Sequence, residues 1–362
     1  MKLTAEGCRA RQRRLVEVLE NTGLGGAIIA QRKHVYYFTG FLHPDIQAGA
    51  AMILRDGQAT VVGAGVPDDL GVDEVIAYKP DAFCTMHTYQ HERVAEALDP
   101  AVPSGAALGT DAGGGAGAFI ALAGADAYDL SDDIRRLRKS KHPDEVDAIR
   151  ETIGLCNIMY ATAKATVEPG ADEVDVFAAM QAACIRQAGC HLERFGNDFQ
   201  ANSIGGPPRR RQMNAGELYI LDAGPRLDGY SADNCRTFAV DGEPTDAQMC
   251  AWKKLDALFP MLEAEIKPGM KAVRLYEIAN AYLNEDGYDG LIHHLGHGYG
   301  LDAHESPELN PEYDSIIEAG DIITMEPGLY GDELKHGMRL EENYLIKEEG
   351  IEKLTPFPRT LT

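Results

Sequence analysis

The sequence predicts a mixed α/β (α+β) protein of two domains, and three observations support this prediction. Helical and strand-like segments alternate in the amino-terminal part of the chain. A long helical pattern begins near residue 140, and an internal repeat follows it. A chain of 362 residues also exceeds what one hydrophobic core usually serves, so its length alone favours two domains.

The amino-terminal part is predicted to form a small α/β domain. An amphipathic stretch at residues 4–21 precedes the apolar segments GGAIIA, HVYYFTGF, AAMILRDGQATVVG and EVIAY. Asp56-Gly57 indicates a β-hairpin, because glycine readily supplies the positive φ of a tight turn. The glycine-rich segment TDAGGGAGAFIALAGA matches neither phosphate-binding glycine pattern, so we interpret it as a small-residue loop or helix start.

The sequence predicts a domain boundary that divides the chain into residues 1–135 and 136–362. Pro143 suits the first turn of a helix, and the acidic residues after it favour the positive end of the helix dipole. Apolar side chains then recur at helical spacing, at Val146, Ile149, Ile153, Cys156 and Tyr160. A long helix is therefore expected at the start of the second domain.

The second domain contains an internal repeat. VEPGADEVDVF and IKPGMKAVRLY begin at Val167 and Ile266, and their Pro, Gly, Val and aromatic positions pair at an offset of 99 residues. Two similar αβ halves are implied, and a duplicated unit commonly places its site at the seam between the copies. We therefore expect functional residues from both halves.

Charge and composition exclude several classes of function. The net charge is −23, and residues 1–140, with 14 basic and 18 acidic residues, carry only −4 of it. Such a surface repels phosphate backbones, so nucleic acid is not an expected partner. No apolar run approaches the ~18 residues of a membrane span, and no membrane partner is expected. Seven scattered cysteines without a CxxC pair favour a cytoplasmic protein without disulfides or a thiolate zinc site.

Acidic residues stand on or beside apolar, strand-like runs after each copy of the repeat. Asp222 ends YILD and Asp233 lies on the return strand, whereas Glu326 follows IITM and Glu341 precedes ENYLI. A carboxylate in such a position is costly to bury unless it is paired or bound to a cation. The four positions together indicate a cation site.

A histidine-rich stretch, IHHLGHGYGLDAHE, lies between these carboxylates in sequence. His293 and His297 have the i, i+4 spacing of a helical zinc motif, but position 294 is His instead of Glu. The glycines at 296, 298 and 300 also disfavour a helix. HExxH chemistry is therefore rejected.

Four segments, in order, carry a family resemblance: LDAGPRLDGYSADNCRTF, LGHGYGLDAHE, MEPGLY and MRLEEN. They resemble the signature of the pita-bread metallopeptidases, the group that contains Xaa-Pro dipeptidase (prolidase), aminopeptidase P, methionine aminopeptidase and creatinase. The resemblance covers roughly residues 130 to 355. It implies a pita-bread catalytic domain with an internal αβ duplication, preceded by a domain similar to the creatinase-type amino-terminal domain.

The resemblance implies two divalent metal ions per chain, of Mn²⁺, Co²⁺, Zn²⁺ or Fe²⁺. It assigns Asp222 to one ion, His297 and Glu326 to the other, and Asp233 and Glu341 as bridges between them. Four carboxylates and one imidazole form a hard, anionic cage that suits these ions. A pair of such ions activates a shared, bridging hydroxide for the hydrolysis of an amide.

Further roles follow from the resemblance. His293 and His304 match histidines that face the substrate and are suited to stabilising the oxyanion. Glu326 is expected to double as the base that accepts the water proton.

Other nearby residues are given supporting roles or none. Arg339 is expected to orient the bridging Glu341, and Arg236 to support the strand of Asp233. His294 and His336 are interpreted as surface or packing histidines.

One segment departs from the family pattern. Proline-specific members usually place a further histidine before the first metal-binding Asp, but ANSIGGPPRRRQMNAGELYILD contains none. Cys235 also replaces a common Thr. Arg209, Arg210 and Arg211 are candidates for holding a substrate carboxylate, and a solvated basic turn is the alternative.

The predicted function is hydrolysis of Xaa-Pro bonds in short peptides, by a dipeptidase or aminopeptidase that forms a homodimer. A family enzyme that acts on a non-peptide small molecule, as an amide hydrolase or lyase, is the second hypothesis. A non-catalytic binding module of the same fold is the third, and a complete ligand set argues against it.

Overall fold

The computed structural model of the chain describes residues 2–111, 117–285 and 290–362. The chain divides into two compact units. The first comprises Met1–Arg138 with His142–Asp144, and the second comprises Lys139–Lys141 with Glu145–Thr362. The first unit thus extends a few residues beyond the boundary expected from the sequence. None of the helices in the described ranges has the length and apolar character that a membrane span requires.

The first unit is built on one mixed sheet. Its helices are α1 (Ala5–Thr22), α2 (Arg32–Thr39), α3 (Gln90–Leu98), α4 (Gly117–Ala123) and α5 (Ser131–Lys139). Its strands are β1 (Gly26–Ile29), β2 (Ala50–Leu54), β3 (Ala59–Gly63), β4 (Glu74–Ala77), β5 (Asp81–Ala82), β6 (Thr85–Met86), β7 (Leu108–Thr110) and β8 (Tyr128–Asp129). The sheet order is β4-β3-β2-β1-β7-β8, and β5 and β6 form a separate hairpin.

Local sequence explains the main turns and the core of this unit. The predicted hairpin at Asp56-Gly57 is confirmed, because β2 and β3 pair antiparallel around it and Gly57 has a φ of +92°. Apolar residues of the sheet pack with Val94 of α3 and Phe119 of α4. Residues 112–116 of the glycine-rich segment lie outside the described residues, and α4 begins directly after them.

The second unit has two helix-and-sheet halves. Its helices are α6 (Pro143–Thr166), whose first residues belong to the first unit, α7 (Glu173–Ala188), α8 (Asp246–Glu265) and α9 (Val273–Leu283). Its strands are β9 (Phe195–Ala201), β10 (Leu218–Leu227), β11 (Tyr230–Ser231), β12 (Asn234–Ala239), β13 (Gly296–Gly298), β14 (Glu305–Leu309), β15 (Ile322–Met325), β16 (Gly328–Leu329), β17 (Met338–Arg339), β18 (Glu342–Ile346) and β19 (Ile351–Lys353).

The sheets of the second unit follow the two halves. In the first half, β10 pairs with β9, β11 and β12. In the second half, five strands run in the order β14-β13-β15-β18-β19, and β16 pairs with β17. The long helix predicted to begin at Pro143 is confirmed, and its five predicted apolar positions are all buried.

The internal repeat is confirmed as two similar αβ halves. Gly170 and Gly269 both have positive φ, at +92° and +86°, in the turns before α7 and α9. Each also donates its backbone N–H to a distant carbonyl, Gly170 to Met213 and Gly269 to Ile317. The helix pairs α6/α7 and α8/α9 each precede one of the two sheets, so both halves contribute ligand-bearing strands.

Candidate metal centre

Both halves of the second unit contribute to one cluster of buried ionisable residues. Asp222 lies within β10, and Asp233 directly precedes β12. His297 is the middle residue of β13, Glu326 follows β15, and Glu341 precedes β18. All five side chains are buried. The structure therefore brings the five predicted ligands to the ends and centres of sheet strands.

Glycine is required beside His297 by close backbone packing. A Cβ atom at Gly296 would lie 2.0 Å from the carbonyl oxygen of Thr324 on β15. With Nδ1 of His297 donating to the carbonyl of Gly298 over 2.8 Å, Nε2 faces the carboxylates. Nε2 is 3.4 Å from Oε1 of Glu326 and 3.7 Å from Oδ2 of Asp233. This orientation suits a metal ligand, whose second ring nitrogen is normally held by a hydrogen bond.

Three carboxylates form the densest part of the cluster. Oxygens of Asp222, Glu326 and Glu341 lie within 4.8 Å of one another. Oδ1 of Asp222 and Oε2 of Glu341 are buried and accept no hydrogen bond from the residues that the structure describes. A buried carboxylate oxygen without a donor is costly, and a cation removes that cost. The donor set therefore fits divalent ions that prefer oxygen with some nitrogen.

The carboxylates also disfavour one another's ionisation. Burial and the charges of neighbouring carboxylates raise the pKa of Asp222 to about 6, against the partial offset of Arg339. Burial, followed by the charge of Asp222, raises the pKa of Asp233 well above its usual range. Burial and Asp233 do the same to the pKa of Glu341. The cage is thus short of positive charge from the protein itself.

His297 and Glu326 show the opposite shifts because they stabilise each other. Burial lowers the pKa of His297, but Glu326 and Asp233 outweigh burial and raise it to about 9. Burial likewise opposes ionisation of Glu326, but His297 outweighs it and lowers the pKa to about 2. Without metal, His297 is therefore an imidazolium, and binding an ion requires it to release a proton.

Arg339 is expected to orient Glu341, but its side-chain hydrogen bonds go to other residues. Its Nη2 donates to Oδ2 of Asp222 over 2.8 Å and also to Asp198, which lies opposite Asp222 on β9. Glu341 instead accepts a hydrogen bond from the hydroxyl of Thr324. The guanidinium is therefore directed towards Asp222 and Asp198, and its Nε lies 3.7 Å from Oε2 of Glu326.

His293 is committed to protein contacts through both ring nitrogens. Nδ1 donates to the carbonyl of His294 over 2.7 Å, and Nε2 lies 2.8 Å from the hydroxyl of Tyr330. Since a carbonyl only accepts, Nε2 is the acceptor and Tyr330 donates to it. Tyr330 in turn accepts from Nη1 of Arg339 over 3.3 Å. His293 thus holds Tyr330 in this structure, and its substrate-facing role stays a prediction.

Among the other histidines, His294 departs from the prediction. The ring of His304 stacks on His297 at a centroid distance of 3.8 Å and remains exposed, as a substrate-facing group requires. His294 is not a surface or packing residue apart from the site, because its Nε2 lies 3.2 Å from Oε1 of Glu326. His336 is exposed, as predicted.

Arg236 ties the Asp233 strand to the Glu341 segment. Its guanidinium is fully buried and donates to the backbone carbonyls of Cys235 and Glu341. The thiol of Cys235 is also buried and lies 3.6 Å from the carbonyl of Arg339. Cys235 therefore contacts the backbone two residues before Glu341.

The arginines of the PPRRR segment contact carboxylates of the chain itself. Arg209 donates to the buried Glu173 through Nε and Nη2, at 3.0 and 2.6 Å. Arg211 donates to Glu217, and Arg210 to Asp172 and Asp175. These ion pairs argue against a substrate-carboxylate clamp by Arg209 and Arg211, because releasing either guanidinium would leave a buried carboxylate uncompensated.

Sequence reasoning missed Asp198, Thr324, Tyr330 and the position of His294. Tyr330 could have been found from MEPGLY, which places it four residues after Glu326. Asp198 carries no local signal, because its relation to Asp222 depends on the pairing of β9 with β10.

Comparison with known proteins identifies both parts of the chain. Residues 147–348, more than half of the sequence, match metallopeptidase family M24. Residues 11–139 match the creatinase/prolidase N-terminal domain. The Xaa-Pro dipeptidase of Pyrococcus furiosus is 27% identical over 361 residues, which span 98% of this chain and 99% of that protein.

Solved structures show the same fold at low identity. The prolidase from Pyrococcus horikoshii OT3 has a TM-score of 0.77 at 22% identity and covers 98% of this chain and 100% of its own. The Xaa-Pro dipeptidase from Bacillus anthracis has a TM-score of 0.80 at 22% identity, covering 98% and 99%. With its buried five-residue cage, this chain belongs to metallopeptidase family M24 and is a metallopeptidase.

Proposed function

We propose that this protein is a two-metal Xaa-Pro dipeptidase. The observation that carries the proposal is the buried cage, in which Asp222, Asp233, His297, Glu326 and Glu341 converge and two carboxylate oxygens lack donors among the described residues. The full-length likeness to the Xaa-Pro dipeptidase of Pyrococcus furiosus supports the substrate class.

The chain's own residues have separable parts in this reaction. Asp222, Asp233, His297, Glu326 and Glu341 would hold two divalent ions. When bound, such ions lower the pKa of a water molecule and polarise the scissile carbonyl. Glu326, 3.4 Å from the ring of His297, is the carboxylate that we expect to accept the proton of the attacking water.

His304 is the imidazole that we expect to contact the substrate. It is exposed, it stacks on His297, and burial with the charge of His297 lowers its pKa to about 4. A neutral His304 can donate one hydrogen bond to the oxyanion as it forms. Arg339, Tyr330 and His293 form a hydrogen-bonded chain beside the cage that fixes Asp222.

Finer properties belong to the same proposal. The oxygen-rich cage favours Mn²⁺ among the four candidate ions. Seven free cysteines favour a cytoplasmic location. A homodimer is expected from the family resemblance, and light scattering of the purified chain tests it.

Activity on a peptide panel tests the proposed function. The chain is stripped with a chelator, reloaded with Mn²⁺, Co²⁺, Zn²⁺ or Fe²⁺, and assayed on Xaa-Pro dipeptides, Xaa-Pro tripeptides and dipeptides without proline. We expect cleavage of Xaa-Pro dipeptides that chelation abolishes. His304→Ala should lower kcat by about 10²-fold with the metal content unchanged.

A second candidate is a family enzyme that acts on a non-peptide amide or a small zwitterion. The observation that favours it is the segment before Asp222, which lacks a histidine and folds back so that the N–H of Gly206 donates to Asp198 over 2.6 Å. A metal-loaded enzyme that ignores every Xaa-Pro peptide yet cleaves such a compound would establish this candidate in place of the first.

A further inference from the structure

His294 places a second imidazole against a carboxylate of the cage. Its Nε2 lies 3.2 Å from Oε1 of Glu326, and Nε2 of His297 lies 3.4 Å from the same oxygen. The rings of the two histidines are nearly parallel, with an interplanar angle of 12°. Oε1 of Glu326 is therefore within 3.4 Å of a ring nitrogen of each histidine.

These separations match the edges of a coordination polyhedron. Nitrogen and oxygen ligands lie about 2.0 to 2.2 Å from a divalent ion, so two neighbouring ligands are about 3.0 Å apart in octahedral and about 3.4 Å apart in tetrahedral geometry. Both nitrogen-to-oxygen distances fall in this range. Neighbouring ligands of one ion would be spaced in this way.

The other histidines of the stretch are differently engaged. A ring nitrogen of the exposed His304 lies within 4.8 Å of ligand atoms of His297 and Asp233. His293 has its two ring nitrogens on the His294 carbonyl and on Tyr330. In contrast, Nε2 of His294 has Glu326 as its polar neighbour within the described ranges. His294 is also a quarter exposed, so it can adjust its ring without disturbing the core.

We propose that His294 is an additional nitrogen ligand of the ion held by His297 and Glu326. This inference rests on the proposed metal centre and gives one of its two ions a second imidazole. The ion then has two neutral donors beside its carboxylates, which favours borderline ions such as Co²⁺ and Zn²⁺ over Mn²⁺ at that position.

A separate third ion beside His293, His294 and Glu326 fits less well. The ligand atoms of these three residues lie within 4.8 Å of one another, but both nitrogens of His293 are already engaged. Four carboxylates in the cage balance two divalent charges, and Asp198 is already paired with Arg339. A third ion would bring two more positive charges to three residues whose one carboxylate, Glu326, already belongs to the cage.

Spectroscopy of the Co²⁺-loaded protein tests the proposal without relying on activity. His294→Phe keeps a flat ring for stacking and removes the nitrogen, and His191→Phe makes the same change at an exposed histidine. We expect two Co²⁺ ions per wild-type chain. In His294→Phe the visible d–d bands should change and the affinity for one ion should fall at least about tenfold; His191→Phe should match the wild type.

Several outcomes would overturn the ligand assignment. Unchanged bands and affinities in His294→Phe would leave His294 with a stacking role alone. Three ions in the wild type and two in the variant would establish a separate site. A wild type that binds no ion after reloading would refute the metal centre itself. If the wild type binds two ions and His294→Phe has the same bands and affinities, only the assignment of His294 as a ligand is refuted.

X-ray absorption of the Zn²⁺-loaded wild type provides a measurement that does not depend on the variant's folding. Imidazole ligands give a characteristic scattering pattern that counts them. If His294 binds, two imidazoles per two Zn²⁺ ions are expected in the wild type and one in His294→Phe. One imidazole per two ions in the wild type contradicts the proposal, and two in the variant would assign the second imidazole to another histidine, such as His304.

Discussion

Buried carboxylates occur in both units of this protein, but their surroundings differ. In the first unit, Asp144 accepts from Arg11 at 2.8 Å and from the backbone N–H of Thr4 at 2.9 Å, and His142 lies 2.9 Å away. In the second unit, Asp222, Asp233 and Glu341 are buried largely against other carboxylates.

This difference in surroundings shifts the pKa values of the two kinds of carboxylate in opposite directions. Burial raises the pKa of Asp144, but the hydrogen bond and charge of Arg11 outweigh it and bring the pKa to about 2. The pKa of Asp222 is instead raised to about 6. A buried carboxylate whose donors are built in stabilises the fold. A cluster in which Oδ1 of Asp222 and Oε2 of Glu341 lack donors among the described residues instead identifies a site that an external cation completes.

Removal of a bridging carboxylate should have the largest effect. Asp233→Ala is expected to remove both ions and to lower kcat/KM by at least about 10³-fold, because each ion loses a ligand. Asp222→Ala should retain one ion. Elemental analysis gives the number of ions bound by each variant, and steady-state assays give kcat/KM. Two ions retained in Asp233→Ala would show that Asp233 is not a bridge.

Breaking the satisfied pair of the first unit should cost stability and leave metal content unchanged. Arg11→Ala leaves Asp144 buried without its main partner, so we expect a loss of about 3 to 5 kcal/mol in the free energy of unfolding. Arg9→Ala is the matched control, since its pair with Asp73 is partly exposed, and it should cost less than about 1 kcal/mol. Urea unfolding of both variants supplies the values.

The pH dependence of this pair has a defined sign. The folded pKa of Asp144 lies at about 2, below the ordinary value of 3.8, so the folded state favours the ionised form. Its contribution is complete above about pH 4 and is lost as the pH falls towards 2. The difference in free energy of unfolding between wild type and Arg11→Ala should therefore shrink as the pH falls towards 2. A difference at pH 2 equal to that at pH 7 would contradict the ion-pair explanation.

The second unit also contains a buried carboxylate that has its own partner. Glu173 is fully buried and pairs with Arg209, as Asp144 pairs with Arg11 in the first unit. Arg209→Ala is expected to lower the free energy of unfolding by about 1 to 3 kcal/mol. The KM for Xaa-Pro dipeptides should stay within about twofold, since a group that does not touch substrate does not alter its binding. Arg210→Ala, at an exposed pair, is the control; a tenfold rise in KM in either variant would restore the carboxylate clamp.

Neutralising an unsatisfied carboxylate should stabilise the metal-free protein. Glu341→Gln keeps an oxygen that accepts the hydrogen bond of Thr324, and it removes a buried acid whose pKa is raised. The free energy of unfolding of the chelator-treated protein at pH 7 should therefore increase by about 1 to 2 kcal/mol. The raised pKa means that metal-free wild type loses stability as pH rises above the ordinary value of 4.5, and the variant should lose less. Thermal unfolding with and without metal checks this; a less stable metal-free variant would contradict it.

The sequence alone determined the features that depend on local pattern. The Asp-Gly hairpin, the long helix from Pro143 and the duplicated Pro-Gly turns were all predicted, because turn chemistry and helical periodicity act between near neighbours. The four family segments also identified the metallopeptidase family, because the ligands of this family stand in short, ordered motifs. These features needed no knowledge of how the strands pair.

The tertiary structure alone decided which side chains meet. Asp198 approaches Arg339 only because β9 pairs with β10, and Arg339 therefore contacts Asp198 and Asp222 instead of Glu341. Spacing in sequence likewise gave His294 no role, but the path of the chain into β13 brings its ring to Glu326. Contacts between residues distant in sequence depend on strand register and side-chain direction, and neither is encoded in the motif that contains the residue.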